Sequence, residues 1–130
     1  MKTSGLNVLA DMDDCPCVGR TLDKLIQPAI LVVLAEGPLH GYRLAERIAE
    51  LSLFGGQKPD ASGVYRVLKT MERRGMVASS WTLSDSGPAR RAYQLTPAGL
   101  GCLRQWIATL EEYRDGIGSL LKAARKAVSP

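Results

Sequence analysis

The hydrophobic period of this chain changes twice, and that limits what it can fold into. Across residues 60–75 apolar side chains recur at helical spacing, with Val64, Leu68 and Met71 at i, i+4 and i+7. Asp60 suits the N-cap of this helix and Gly75 its left-handed stop. Residues 76–83 then read as a strand carrying Val77, Trp81 and Thr82. Ser84-Asp85-Ser86-Gly87-Pro88 reads as a turn longer than the two-residue minimum, and residues 90–95 as the returning strand. Trp81 is expected to face Tyr93 across this hairpin. Thr96-Pro97 restores the helical period, with threonine as N-cap and proline at the first helical position. One hairpin enclosed between helices makes the fold mainly α with a small β-hairpin.

Upstream, Leu22, Leu25, Ile26, Ala29, Ile30 and Val33 recur at three- and four-residue spacing. Pro28 is costly inside a regular helix, so this helix either begins near Pro28, with Gln27 at its entry, or kinks there. Residues 30–35 are apolar almost all round, which predicts a central helix ended by Gly37-Pro38. Leu39-His40-Gly41 reads as a short connection, with His40 as a turn or capping residue. A helix over residues 42–51 turns Leu44, Ala45, Ile48 and Leu51 inward and pairs Arg43 with Glu46. Three regions follow: an arm over 1–20, a compact unit over 21–95, and a C-terminal helix over 96–130. The last carries a seam of Leu100, Leu103, Ile107, Leu110, Ile117 and Leu121, with Trp106 and Tyr113 beside it. That seam runs past the reach of a small three-helix core.

The chain has three cysteines and one histidine among 130 residues. An odd cysteine count and a poor signal peptide point to a reducing cytoplasm. No apolar run approaches the ~20 residues that span a bilayer, which argues against a membrane partner. Catalysis needs a cluster of chemical groups and none is visible, so an enzyme is not expected and no cofactor is assigned. Net charge is +4. Residues 58–91 hold seven Lys or Arg against three Asp or Glu, so the whole excess lies there. Arg66, Lys69 and Arg73 form a second stripe on the helix of residues 60–75, and Arg90 and Arg91 lie on the returning strand.

A helix about 10–12 Å across fits the major groove of B-DNA when one face is buried and the other cationic. Helix, helix, turn, basic helix, basic hairpin and long helix is the order of a winged helix-turn-helix. The chain also resembles the PadR family of transcriptional regulators. The resemblance rests on Ile30-Leu31-Val32-Val33-Leu34-Ala35-Glu36-Gly37-Pro38-Leu39-His40-Gly41-Tyr42, Gly63-Val64-Tyr65-Arg66-Val67-Leu68 and Met71-Glu72-Arg73-Arg74-Gly75-Met76-Val77. It continues through Ser86-Gly87-Pro88-Ala89-Arg90-Arg91-Ala92-Tyr93-Gln94-Leu95-Thr96-Pro97-Ala98-Gly99. It implies a dimeric repressor of a double-stranded DNA operator, often released by a small molecule, with the C-terminal helix as dimer contact. Asp60-Ala61-Ser62-Gly63 stands where the family commonly has Ser-Pro-Gly-Thr, the cysteine-bearing arm is additional, and the single C-terminal helix resembles the short branch of the family.

The expected DNA-contacting residues are Tyr42, Ser62, Tyr65, Arg66, Lys69, Arg73, Arg90 and Arg91. Leu103, Trp106, Ile107, Leu110, Tyr113 and Ile117 are expected to form the dimer interface or line a pocket for a small hydrophobic or aromatic effector. Two other readings stay open. One is a winged helix that binds protein rather than DNA. The other is a metal- or thiol-responsive regulator using Cys15 and Cys17, with Cys102 as a third ligand across a dimer; a full zinc site needs four ligands.

Overall fold

The computed structural model describes residues 23–56, 59–84 and 87–130. Cys15 and Cys17 lie outside them. After a short 3-10 turn at Asp23–Leu25 come α1 (Ile26–Ala35), β1 (Leu39–His40), α2 (Gly41–Ala49), α3 (Ala61–Arg73), β2 (Val77–Ser84), β3 (Gly87–Leu95) and α4 (Pro97–Val128).

Pro28 falls in the first turn of α1. Its missing N–H there has no intrahelical acceptor to lose, so the helix starts early rather than kinking. As expected, α1 is central. Ile30, Leu31, Val33 and Leu34 are buried, and the helix packs on α2, α3, β3 and α4. Leu44 and Ile48 from α2, and Val64, Leu68 and Met71 from α3, complete the core with Val77 and Tyr93. Arg43 pairs with Glu46 at 3.6 Å, and Arg47 ties α2 to Glu36 at the end of α1 at 2.6 Å.

α3 ends on a paired-bond cap. The Gly75 N–H donates to Glu72 O at 3.0 Å and the Met76 N–H to Met71 O at 2.9 Å. Gly75 takes φ +77°, the left-handed conformation this cap requires. Met71 and Met76, the two ends of the cap, both enter the core. Asp60 occupies the N-cap position of α3 but makes no side-chain cap bond.

Three details differ from the sequence expectations. Leu39-His40 is not merely a connection. It is a third strand that pairs antiparallel with β3, giving the order β1-β3-β2. The hairpin closes from Ser84 to Gly87, a tighter loop than the turn composition implied, and an irregularity between Thr82 and Ser84 absorbs the difference. Pro88 is tolerated because β3 at that point has only β2 beside it among the described strands. The register then places Trp81 opposite Arg91, and Ser79 opposite Tyr93.

α4 begins as the sequence requires. Thr96 caps it by accepting the Gly99 N–H at 3.0 Å, with Pro97 at the first position. The same hydroxyl donates to Gly75 O at 2.6 Å, and the Thr96 N–H donates to Met76 O at 3.1 Å. The cap of α4 is therefore bolted to the turn that ends α3.

Candidate nucleic-acid interface

α3 divides its surface as its two stripes dictate. Val64, Leu68 and Met71 are buried, while Ser62, Tyr65, Arg66, Lys69, Arg73 and Arg74 are exposed. No carboxylate among the described residues pairs with Arg66, Lys69, Arg73 or Arg74. Arg73 reaches only the Thr70 hydroxyl, at 3.4 Å. The Tyr65 ring lies on the first residue of α2: a Cβ added at Gly41 would come within 2.8 Å of it. The Tyr65 ring thus rests on the Gly41 backbone, and a larger residue there would displace it.

The two wing arginines have different surroundings. Neighbouring residues of a strand point to opposite faces of the sheet. Arg90 turns towards α2, where its Nη1 donates to the Tyr42 hydroxyl at 3.0 Å and its guanidinium lies 5.2 Å from the Tyr42 ring centroid. Arg91 turns towards α3. Its Nη2 donates to both Glu72 carboxylate oxygens, at 2.8 and 3.0 Å, and its Nε donates to Ser79 Oγ at 2.9 Å. The Ser79 hydroxyl in turn donates to Glu72 Oε2. The Arg91 guanidinium lies 5.5 Å from the Tyr93 ring and 6.0 Å from the Trp81 ring. Burial pushes the Tyr93 hydroxyl pKa up, with the Arg91 charge opposing it and Glu72 adding to it. That phenol therefore stays neutral at ordinary pH.

His40 is the residue before α2 and makes no side-chain cap bond. It stacks on Tyr42 with ring centroids 5.9 Å apart, and its Nε2 is buried without a hydrogen-bond partner among the described residues. Tyr42, Arg90 and His40 form one cluster at the root of the wing.

The residues expected on the C-terminal helix separate into two groups. Leu103 and Trp106 pack on the core of their own chain, and the Trp106 indole N–H donates to Gln27 Oε1 at 3.0 Å. Leu110 is half-buried, whereas Ile107, Tyr113 and Ile117 are exposed. The tie to Gln27 was invisible in the sequence because the partners lie 79 residues apart. Cys102 is half-buried at the fringe of the core. Among the described residues no group of three or more His, Cys, Asp or Glu is placed to hold a metal ion, and no helix is long and apolar enough to cross a membrane.

Residues 30–105 match the sequence pattern of the transcriptional regulator PadR-like family. Among solved structures, a protein of Thermoplasma acidophilum assigned as a transcriptional regulator is 35% identical, with a TM-score of 0.69 over 79% of this chain and 96% of that one. A PadR family transcriptional regulator of Eggerthella lenta is 29% identical, with a TM-score of 0.66 over 86% of this chain and 96% of that one. Bacillus subtilis PadR, solved in complex with operator DNA, is 26% identical, with a TM-score of 0.57 over 64% of this chain and 47% of that one. No curated protein matches the chain.

Proposed function

This chain belongs to the PadR-like family of transcriptional regulators, and from that premise we propose that it is a homodimeric, sequence-specific DNA-binding repressor released by a small-molecule effector. One observation carries the reading. α3 buries one face and presents Arg66, Lys69 and Arg73 on the other, with no carboxylate among the described residues to neutralise them. Two such helices enter successive major grooves about 34 Å apart on a pseudo-palindromic duplex. Ser62 and Tyr65 stand at the entering end of α3. Arg90, held by Tyr42, faces a hydroxyl and a ring rather than a carboxylate, so its charge is available to a phosphate.

The seam of α4 supports the dimer. Leu103, Ile107, Leu110, Arg114, Ile117, Leu121, Ala124 and Val128 alternate four- and three-residue steps, the repeat of a two-helix seam. Ile107, Ile117, Leu121 and Val128 are all exposed in the single chain. Gly116 and Gly118 lower helix propensity there by about 1 kcal/mol each, so this stretch needs a partner to stay helical. A small hydrophobic or aromatic effector seated at this seam shifts the distance between the two α3 helices. Such coupling is typically worth about 1–3 kcal/mol. A cytoplasmic site of action follows from an intracellular DNA target.

The test is a salt titration of binding to the duplex upstream of the protein's own gene, beside a scrambled duplex of equal length. Selective binding that weakens with salt is expected. Each phosphate neutralised contributes a log–log slope of about 0.9, so Arg66→Ala, Lys69→Ala and Arg73→Ala together, on both chains of the dimer, should flatten the slope by up to about five. Wild-type binding indifferent to salt, or a triple variant with the wild-type slope, would remove α3 from the interface.

A further inference from the structure

In the sequence Arg90 and Arg91 are equivalent, two cations on one wing. In the structure they are not, because only Arg91 is closed into a ring of contacts. Glu72 is on the last turn of α3, Ser79 on β2 and Arg91 on β3. Each of the three touches the other two: Arg91 grips both Glu72 oxygens, its Nε meets Ser79 Oγ, and Ser79 bonds back to Glu72. Nη2 bridges both Glu72 oxygens while Nε of the same rigid plane engages Ser79, so the guanidinium fixes orientation as well as distance. The Tyr93 and Trp81 rings flank the guanidinium. The Glu72 carboxylate already balances its charge, and moving Arg91 to a phosphate would abandon several hydrogen bonds at once and leave Glu72 unpaired beside a polyanion.

We propose that the Glu72–Ser79–Arg91 network is a strut that sets the angle of the wing against the recognition helix, and that Arg91 is a positioning residue for DNA binding rather than a phosphate contact. This rests on the DNA-binding reading above. Its physical content is a difference between neighbours. Arg90 contributes charge to the duplex, whereas Arg91 contributes the geometry that brings Arg90 and the hairpin to it. The Tyr42–Arg90 bond holds the other face of the same ribbon, so α2 and α3 grip the wing from opposite sides.

The experiment compares Arg90→Met, Arg91→Met, Arg91→Lys and Ser79→Ala by duplex binding across a salt series. Amide hydrogen exchange is measured in the DNA-free protein alongside. Arg90→Met should flatten the salt slope by about two, one for each wing of the dimer. Arg91→Met should weaken binding about tenfold with the wild-type slope. Arg91→Lys, which keeps the charge but loses the planar group that bonds Glu72 and Ser79 through two nitrogens, should not restore it. Ser79→Ala changes no charge and should still weaken binding several-fold, while speeding exchange in residues 77–84 and 87–95 and leaving α1 protected. If Arg91→Met does not fold, Arg91→Lys and Ser79→Ala decide the matter. The strut is overturned if Arg91→Met flattens the slope by about two, if Arg91→Lys binds as wild type, or if Ser79→Ala changes neither binding nor exchange. Absence of salt-dependent binding by the wild type overturns the DNA-binding reading and the strut's part in affinity. Faster wing exchange in Ser79→Ala would then leave an architectural contact alone.

Discussion

Gly99→Ala will destabilise the protein, while Gly101→Ala, two residues further along the same helix, will stabilise it. A Cβ at residue 99 would fall 2.1 Å from the Met76 carbonyl oxygen and 2.6 Å from Leu95 Cδ1. The first of these is backbone, and it already accepts the Thr96 N–H. It cannot swing aside as a flexible side chain can, so α4 must lift away from the turn between α3 and β2. Overpacking of this kind costs about 1–3 kcal/mol or more. For a chain of this size that lowers Tm by roughly 5–15 °C. At Gly101 an added Cβ meets nothing within 4 Å. There alanine gains about 0.5–1 kcal/mol from helix propensity alone. Thermal unfolding of both variants followed by circular dichroism is the measurement. Equal melting of wild type and Gly99→Ala would show that α4 does not rest on Met76. The consequence extends to DNA, since the cap of α4 is bonded to Gly75 at the end of the recognition helix.

The second large effect is on assembly. Ile117→Glu with Leu121→Glu puts two charges into the exposed seam of α4. Neither residue is buried in its own chain, so the winged unit should melt as wild type does. The pair of chains should not form. Sedimentation or light scattering should then report a monomer. The helical signal should also fall, because a glycine-containing helix end without a partner is marginal in water. DNA affinity should drop about 10²-fold or more, since two linked reading heads bind far more tightly than one. A monomeric wild type, or an unchanged dimer in the double variant, would move the contact away from this seam.

What the sequence disclosed was local. Gly75, Thr96 and Pro97 mark their boundaries because a cap or stop acts within one turn of backbone. The stripes of α3 and the seam of α4 were legible because a helix repeats its faces at fixed spacing. Contacts closed over long distances were not. β1 is two residues long, too short for any alternation to show. The partner of Trp81 depended on the length of a loop whose glycine and proline suggested a wider turn. Arg91 looked like Arg90 because nothing in a list of residues says that Glu72, 19 positions earlier, would stand beside it. Trp106 looked like an interface or pocket residue because its bond to Gln27 crosses most of the chain. The basic face of α3 was therefore readable in the sequence, while the fold was needed to show that Glu72 holds Arg91 and Tyr42 holds Arg90.

The pairing of Leu39 with Tyr93 carries a kinetic consequence. Between the two lie α2, α3 and β2, so a single antiparallel bridge closes a loop of about 50 residues around them. Closing such a loop costs roughly 3–4 kcal/mol of chain entropy before any contact rewards it. The helical contacts of α1 with α2 are local and need no such closure. During synthesis α3 emerges before β3 exists to complete the sheet around it. A nascent chain that has not yet delivered Tyr93 to Leu39 can hold helices, but it has neither a rooted wing nor an aligned reading helix. The sheet that roots the wing therefore waits on the pairing of Leu39 with Tyr93.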